Sequence, residues 1–403
     1  MGDNKKQNKP NVPNLRFPGF SGEWETSELG KISLISKGVG ISKEQRSAEG
    51  SPCILYGELY TTYTTEIIEE VCSKTDLDTN GLVKSKANDV IIPASGETAI
   101  DISTARCVIN NNVLLGGDLN IIRLNNHDGK FFSYQLNGVR KIAIAKVAQG
   151  VSIVHLHGDA LSHITVHYPS HLEQEKISSL LHLIDRRIAT QNKVIEKYES
   201  LIKAINDSVI SRLLKGRVVS FKDLYVEAGE GGTPSTSEHS YYKNGSIPFI
   251  KIDDLSGKYL TINKDFITEL GVQKSSAWVV PENSIIYSNG ATIGAISIST
   301  YPVCTKQGIL GIVPISDVRT EYLYYFMSSS YFNKQVQRIV TEGTMKTAYL
   351  KDINLIKCPL PTIDDQDKIA YGLSSISSKL ELEKQLRNKL LSTKKYLLQV
   401  LFI

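Results

Sequence analysis

Two long stretches of the chain carry apolar residues at intervals of three and four, the spacing of one face of an α-helix. The first stripe runs through Ile177, Leu180, Ile184, Ile188, Gln191, Ile195, Tyr198, Ile202, Ile205 and Val209. The second runs through Ile369, Leu373, Ile376, Leu380, Leu386, Leu390, Leu397 and Leu401. Each predicts a helix of about 40 residues, roughly 60 Å long at about 1.5 Å per residue. Because a lone helix of this length leaves its stripe exposed, we expect the two to pair as an antiparallel coiled coil with pseudo-two-fold symmetry.

The segment at the start of each predicted helix is duplicated. Residues 170–177 read SHLEQEKI, residues 362–369 read TIDDQDKI, and a proline precedes each copy. Both copies have the spacing of a capping box, in the pairs Ser170 with Glu173 and Thr362 with Asp365. Gly216 is placed to end the first helix. The chain therefore consists of two half-molecules in tandem.

The segments before the helices share a frame but differ in their loops. Residues 52–59 match residues 248–255, and residues 90–98 match residues 284–292. In each, a short apolar run typical of a β-strand leads into a small, polar, glycine-bearing turn. The fold class predicted is α/β (α+β), with two globular domains that are each followed by a long helix. The predicted divisions are a disordered tail (1–14), a first domain (15–168), a first helix (169–216), a second domain (217–360) and a second helix (361–403).

Composition limits the functional classes. The chain has 403 residues, of which 41% are hydrophobic, so each half can bury a core. Its net charge of +4 permits nucleic-acid binding without requiring it. Five cysteines are scattered with no CxxC pair, which indicates a reduced, cytoplasmic protein without a disulfide framework or zinc ribbon. The sequence has no apolar run of membrane-spanning length, so we expect no membrane partner.

Motifs for catalysis are missing from the sequence. No Pro-Pro dipeptide occurs, so there is no Asn/Asp-Pro-Pro-Tyr/Phe segment of the kind an amino-methyltransferase needs to hold its target base. The sequence also lacks a Gly-x-x-x-x-Gly-Lys-Ser/Thr phosphate loop and a Gly-x-Ser-x-Gly nucleophile turn. These absences favour a binding protein over an enzyme.

Four motifs together carry a family resemblance. They are LRFPGFSGEW at 15–24, GGTPS at 231–235, IPFIKIDDL at 247–255, and the pattern Pro-x-x-x-Glu/Asp-Gln-x-Lys-Ile at the start of each helix. From about Asn14 onward the chain resembles the specificity subunit of Type I restriction-modification enzymes. One departure is that Ser36-Lys37-Gly38-Val39-Gly40 stands in the first half where the second has its Gly-Gly-Thr-Pro-Ser turn.

The resemblance implies a function and partners. Each globular half would be a target recognition domain that reads one half of a split sequence in double-stranded DNA, while the helices act as a spacer. Two methyltransferase (modification) subunits would bind the helices, and two restriction subunits would complete the full complex. S-adenosylmethionine, ATP and Mg²⁺ would be used by those partners, with no cofactor or metal and no catalytic residue on this chain.

The candidate DNA contacts are mostly polar, basic or aromatic residues in or beside the turns. In the first half they are Lys37, Tyr56, Ser95, Thr98 and Ser152. In the second half they are Gly232, Thr233, Ser235, Tyr242, Lys251, Asn289, Thr292, Lys306, Gln307, Thr344 and Lys346. The glycines of 231–235 would bring backbone N–H groups close to a phosphate, and Gln and Lys side chains can reach base edges or phosphates. The candidate partner-binding residues, on the outer helix faces, are Leu181, Leu183, Leu201, Leu382, Leu391 and Leu398.

Each of these hypotheses has an alternative in which the residues have only a structural role. The turns are also compatible with ordinary solvated loops. The histidines at 155, 157, 163, 167 and 171 have the residue type of a metal site, but alternation on an exposed strand and at a helix start explains them without a metal. Tyr241, Tyr242 and Tyr259 are placed to stack on sugars or bases, whereas residues 322–326 predict a core-facing helix. For the whole chain, the alternative is a coiled-coil interaction scaffold or a DNA-binding regulator outside a restriction system, and an enzyme ranks third.

Overall fold

A computed structural model of the chain describes residues 11–290, 292–340 and 346–403. The chain divides into two units, Met1–Asn192 with Gln385–Ile403 and Lys193–Lys384. Most of the predicted N-terminal tail, residues 1–10, lies outside the described residues. Within the predicted tail, Asn11 is described, and its backbone oxygen accepts a hydrogen bond from the Trp24 amide at 2.8 Å. None of the described helices is long and apolar enough to cross a membrane.

The first unit is built on one five-stranded sheet and smaller sheets. Its strands are β1 (Glu25–Glu28), β2 (Ser33–Lys37), β3 (Ser51–Ile54), β4 (Ile67–Ile68), β5 (Ser73–Thr75), β6 (Asp89–Pro93), β7 (Ser95–Gly96), β8 (Arg106–Val108), β9 (Leu114–Leu115), β10 (Leu119–Leu124), β11 (Val154–His155) and β12 (Thr165–Tyr168). Its helices are α1 (Leu29–Ile32), α2 (Glu58–Thr61), α3 (Ala99–Ile102), α4 (Gly129–Asn137), α5 (Lys141–Val147), α6 (Gly158–Ser162) and the start of α7 (His171–Leu213), with a 3-10 turn at Lys43–Gln45. The central order is β2-β10-β6-β8-β4, beside β5-β3-β9, β1-β12 and β11-β7.

The second unit repeats this plan. Its strands are β13 (Val218–Ser220), β14 (Tyr225–Glu230), β15 (Ile247–Ile250), β16 (Tyr259–Leu260), β17 (Asp265–Ile267), β18 (Ile285–Ser288), β19 (Ile296–Ser299), β20 (Cys304–Thr305), β21 (Ile309–Pro314) and β22 (Lys357–Pro359). Its helices are α8 (Glu269–Gln273), α9 (Thr320–Met327), α10 (Ser330–Ile339), α11 (Leu350–Ile353) and α12 (Ile363–Val400), with 3-10 turns at Phe221–Leu224, His239–Tyr241 and Ile252–Asp254. The orders β14-β21-β18-β19-β16, β17-β15-β20 and β13-β22 match three of the four sheets of the first unit strand for strand, and among the described residues the small sheet β11-β7 has no counterpart.

The continuous apolar runs form central strands that are buried on both faces. Successive side chains of a strand point to opposite faces of its sheet. In β6, Val90 and Ile92 accordingly pack into one core, whereas Ile91 packs into another. In β18, Ile285 and Ile286 divide in the same way. Helices and loops cover both faces of each sheet, so the strands read as unbroken apolar runs.

The two long helices pair antiparallel, as the stripes predict, and each has close to the predicted length, 43 residues in α7 and 38 in α12. In the first unit, Ile177 of α7 shares a core with Leu401, while Asp185 lies 2.6 Å from Lys394 of α12. Residue numbers therefore rise along one helix as they fall along the other. Contacts of the second unit show the same direction: they pair Glu199 with Lys384 at 2.7 Å and bring Ile210 into one core with Ile369.

The glutamine of the duplicated helix start is a buried structural residue in both copies. Gln174 donates to the carbonyl of Pro169 at 2.8 Å and accepts the amide of Asp128, which caps α4. Gln366 donates to Pro361 at 3.0 Å and accepts the amide of the residue that caps α9. One side chain thus connects each long helix to the proline before it and to the loop before a core helix. These contacts give the glutamine of the motif a purely structural role.

The two capping boxes turn out differently. At the second helix, the Thr362 hydroxyl accepts the amide of Asp365 at 3.3 Å, which is one half of the predicted box, and donates to the Asp365 carboxylate at 2.7 Å. At the first helix the prediction is wrong in part, because the Glu173 carboxylate binds the Arg16 guanidinium through two contacts of 2.7 Å. A guanidinium stabilises a buried carboxylate more strongly than a neutral backbone N–H does, because it supplies an opposite charge as well as hydrogen bonds. Arg16 therefore anchors the LRFPGFSGEW segment to the start of α7.

Candidate nucleic-acid interface

In the second unit, the loops at one end of the central sheet are held together by backbone hydrogen bonds. Strands β14 and β18 end there, and strands β21 and β19 begin there. The four bonds are Gly231 N–H to Ile309 O (2.9 Å), Lys306 N–H to Ile250 O (2.9 Å), Asn289 N–H to Gly308 O (3.0 Å) and Ala348 N–H to Asn289 O (2.9 Å). We call the segments that meet here, residues 231–235, 289–292, 306–308 and 346–348, the loop end of the second unit; its residue 291 lies outside the described residues.

The first unit has a loop end with the same four bonds. They are Gly38 N–H to Leu119 O (3.0 Å), Gly116 N–H to Ile54 O (3.0 Å), Ala94 N–H to Asp118 O (2.7 Å) and Leu156 N–H to Ala94 O (2.8 Å). The segments that meet are residues 37–40, 94–98, 116–118 and 149–157. Because the bonds recur one for one, each loop of one unit has an equivalent in the other, although the loop sequences differ.

The structure brings most of the predicted DNA contacts to these two loop ends. Exposed side chains in the first unit are Lys37, Thr98 and Ser152, with Tyr56 partly exposed beside them. Those in the second unit are Ser235, Thr292, Lys306, Gln307 and Lys346, while Thr344 lies outside the described residues. Residues that are distant in sequence therefore share one surface within each unit, as a nucleic-acid interface requires.

Two of the predicted contacts are buried and hold the loops in place. Ser95 is 6% exposed because it pairs with His155 in the small sheet β7-β11. Asn289 is fully buried, and its side-chain amide donates to the carbonyl of Ala348 at 3.1 Å. The expectation that these side chains face DNA is therefore wrong for the chain as it stands. A polar side chain in a turn can face either solvent or the protein interior, so the residue type alone does not predict its exposure.

The glycines of the 231–235 turn are needed for internal packing. A Cβ on Gly231 would lie 1.9 Å from the backbone oxygen of Thr305, and one on Gly232 would lie 2.4 Å from the amide nitrogen of Ala277. Both contacts are far below van der Waals distance, so only glycine fits. Gly232 is buried, which corrects the prediction that it approaches a phosphate.

Several other predicted contacts already have partners within the chain. Lys251 Nζ lies 2.9 Å from Asp265 Oδ1, so its charge is offset locally. The hydroxyl of Tyr242 donates to the carbonyl of Pro234, and Thr98 caps α3 by accepting the Asp101 amide at 3.1 Å. Thr233 is partly exposed and accepts the Gln307 amide at 3.4 Å. These residues shape the loop ends, while Lys37, Lys306 and Lys346 present exposed cations.

Tyr259 belongs to a different cluster from the one predicted. Its hydroxyl donates to the Glu321 carboxylate, and Lys258 Nζ lies 4.9 Å from the centre of its ring. Burial and this hydrogen bond raise the pKa of Tyr259. Lys258 also lies 3.2 Å from Glu321 Oε2. The tyrosine therefore ties an edge strand to the start of α9 and is not free to stack on a base. The predicted core-facing helix is confirmed, with Phe326 fully buried.

Two of the five histidines alternate with a buried residue along and beside strand β11. His155 and His157 are exposed on either side of the buried Leu156, with their rings stacked at 6.3 Å. Over residues 11–290, 292–340 and 346–403, no group of three or more His, Cys, Asp or Glu side chains is placed to hold a metal ion. Burial lowers the pKa of His167, whose ring nitrogen lies 2.9 Å from the Thr26 hydroxyl oxygen.

The outer faces of the long helices carry four of the six predicted partner-binding leucines in exposed positions. They are Leu183 (62% exposed), Leu201 (46%), Leu382 (64%) and Leu391 (46%). Leu181 is fully buried in the core of the first unit, so the prediction that it binds a partner is wrong. Leu398 is half-buried against the same core. The buried face of α7 is wider than the apolar stripe predicted from the sequence, because α7 packs against its globular domain as well as against α12.

The sequence analysis did not identify a set of exposed apolar residues at or directly beside the loop ends. In the first unit they are Val39 (45% exposed), Ile100 (46%), Val151 (96%) and Ile153 (60%), and in the second unit Tyr349 (45%). The sequence holds a weak signal for two of them, since valine and isoleucine flank Ser152 immediately after Gln149-Gly150, a polar turn.

Comparisons with known proteins agree with these features. The family model described as Type I restriction modification DNA specificity domain matches residues 21–200 and 217–392. The MjaIX specificity subunit of Methanocaldococcus jannaschii is 32% identical over 174 residues, 42% of this chain and 39% of that protein. The chain thus spans about two fifths of this relative. The MjaVIII specificity subunit of the same organism is 22% identical over 98% of this chain and 95% of that protein. The solved S subunit of a Type I system from M. genitalium shares the fold, with a TM-score of 0.63, 17% identity, and coverage of 97% of this chain and 99% of that one.

Proposed function

Because the chain belongs to the Type I restriction modification DNA specificity family, we propose that it reads a split DNA sequence, with the loop end of each unit on one half-site. The supporting observation is the set of four backbone hydrogen bonds that recurs in both units and carries chemically different loops. A fixed frame with variable loops suits two readers of different half-sites. Exposed lysines would hold phosphates, and loop side chains would contact base edges.

The long helices supply the rest of the proposed arrangement. Their antiparallel pairing would fix the distance between half-sites, and the exposed leucines at 183, 201, 382 and 391 would bind two methyltransferase subunits. Two restriction subunits would join the full complex. S-adenosylmethionine, ATP and Mg²⁺ would be used by those partner subunits, while this chain contributes recognition without catalysis in the cytoplasm.

Duplex binding by the chain, alone and with its methyltransferase partner, tests the proposal. We expect binding to weaken as salt rises, because lysine contacts displace counterions from phosphates. Mapping of methylated sites in DNA from cells that carry the complex should give a bipartite sequence with a spacer of fixed length. Partner binding without any DNA preference would favour the interaction-scaffold alternative.

A further inference from the structure

The loop before β11 in the first unit presents two apolar side chains to solvent. Val151 is 96% exposed and Ile153 is 60% exposed, with the exposed Ser152 between them. Neither belongs to a hydrophobic core of this unit. Isolated apolar surface residues are common, but two in one short loop beside a predicted binding surface call for a ligand.

This loop is closed and rigid at its base. The backbones of Gln149 and His155 exchange two hydrogen bonds, of 2.9 and 2.7 Å. Gly150 has a φ of +122°, and a Cβ there would lie 2.1 Å from the backbone oxygen of Ile153, so glycine is required. Valine and isoleucine are themselves stiff about χ1. The backbone is therefore closed on both sides of the two side chains, and their own rotamer freedom is small.

The apolar character extends across the loop end of the first unit. Val39 is 45% exposed on the neighbouring segment, and Ile100 is 46% exposed on α3, which contacts β11. The described part of the second loop end presents mostly hydroxyl, amide and ammonium groups, as in Thr292, Gln307 and Lys346, with the exposed ring of Tyr349 beside them. Within the residues that the structure describes, the two loop ends therefore offer different chemistry to whatever they bind.

We propose that Val151 and Ile153 read thymine in the half-site of the first unit, through contact with its C5-methyl group in the major groove. This inference rests on the proposed function. The thymine methyl is the one apolar group that a base pair displays in the major groove, and small apolar side chains are its usual partners in proteins. A β-branched pair on a rigid loop provides a methyl-sized contact that excludes water.

The surface fits DNA better than a protein partner. Protein interfaces depend on large anchors such as tryptophan, tyrosine or arginine that fill pockets. The loop offers only two small side chains, and its exposed neighbours at 155 and 157 are histidines, which suit a polar groove.

Deoxyuridine substitution tests the proposal, because it removes the methyl group and keeps base pairing. The site is first selected from a random duplex pool with the chain bound to its methyltransferase partner. Each thymine is then replaced singly, and affinity is measured for the wild type and for a Val151→Ala/Ile153→Ala variant. Leu172→Ala is the matched control, since Leu172 is 71% exposed at the start of α7, near the opposite end of the sheet.

We expect at least one deoxyuridine in one half-site to weaken wild-type binding about fourfold, the value for one buried methyl group. The double variant should lose that sensitivity and relax preference at the same position, while the control and the other half-site stay unchanged. A half-site without thymine, equal sensitivity in wild type and variant, or a variant that loses the protein partner and keeps its DNA preference would each overturn the inference. A wild-type complex with no sequence preference would instead defeat the proposed function itself.

Discussion

The ammonium nitrogen of Lys394 lies 2.6 Å from Oδ1 of Asp185, so a buried ion pair joins the two long helices in the first unit. Glu66 Oε2 is equally close to the same nitrogen, and the Tyr134 hydroxyl donates to Asp185 at 2.7 Å. Burial raises the pKa of Glu66, although the charge of Lys394 opposes this effect. Burial alone would lower the pKa of Lys394, but the two carboxylates raise it overall. One cation thus compensates two buried acids.

Replacement of Lys394 by a neutral residue should lower the free energy of unfolding of the first unit. Lys394→Met leaves Glu66 and Asp185 buried without the cation that they share, and we expect it to lower the free energy of unfolding of the first unit by about 3–5 kcal/mol. Lys384→Met is the matched control, because Lys384 also joins α12 to α7, at 2.7 Å from Glu199, but both side chains are over a third exposed. That variant should lose less than about 1 kcal/mol. If urea unfolding gave the same loss of unfolding free energy for Lys394→Met and Lys384→Met, burial would not determine the strength of the Lys394 ion pairs.

Acid should destabilise the first unit through two histidines. Burial lowers the pKa of His127 and of His167 below their ordinary value of 6.5. The unfolded chain therefore takes up protons first, so stability is full above pH 6.5 and falls as the pH drops through the lowered folded values. Each histidine contributes at most about 1.4 kcal/mol per pH unit over that window. Urea unfolding at pH 7.5 and 5.5 should show a smaller difference for His127→Gln and His167→Gln than for the wild type; an unchanged difference would contradict this.

Two glycine substitutions should have opposite effects. Gly232→Ala forces a Cβ to within 2.4 Å of the backbone of Ala277, and we expect a loss of about 1–3 kcal/mol. Gly372 lies inside α12 with open space around its Cβ position, so Gly372→Ala should stabilise the chain by up to about 1 kcal/mol through helix propensity. Thermal unfolding measures both. A neutral Gly232→Ala would mean that the 276–277 segment moves aside at little cost.

Lys346 should contribute to DNA binding more than Lys251 does. Lys346 is exposed at the second loop end, whereas Lys251 is paired with Asp265. If Lys346 contacts a base, Lys346→Ala costs about 1–3 kcal/mol and relaxes preference at one position. Lys251→Ala should weaken binding to all sequences slightly, as expected for the loss of a weak phosphate contact. The slope of log binding constant against log salt concentration should change by less than about one. Lys222→Ala, exposed near the opposite end of the sheet, is the control, and equal affinity in all three variants would remove these lysines from the interface.

Much of the fold follows from the sequence because its signals are local. The three-and-four spacing gave both long helices, and the apolar runs at 90–93 and 285–288 gave the central strands. The duplication at 170–177 and 362–369 placed the helix starts, and Gln174 and Gln366 have the same role in both. Periodicity and capping act over a few residues, so one sequence suffices to detect them.

Only the tertiary structure decided which turn residues face outward. Lys37 and Ser95 are both polar and both near a strand end, yet one is exposed and the other is buried beneath β11. Leu181 and Leu183 are two residues apart on one helix, yet only Leu183 remains exposed. Exposure of a loop or outer-face side chain depends on segments that are distant in sequence and adjacent in space. Local sequence pattern carries no record of that packing, so it cannot assign the recognition surface.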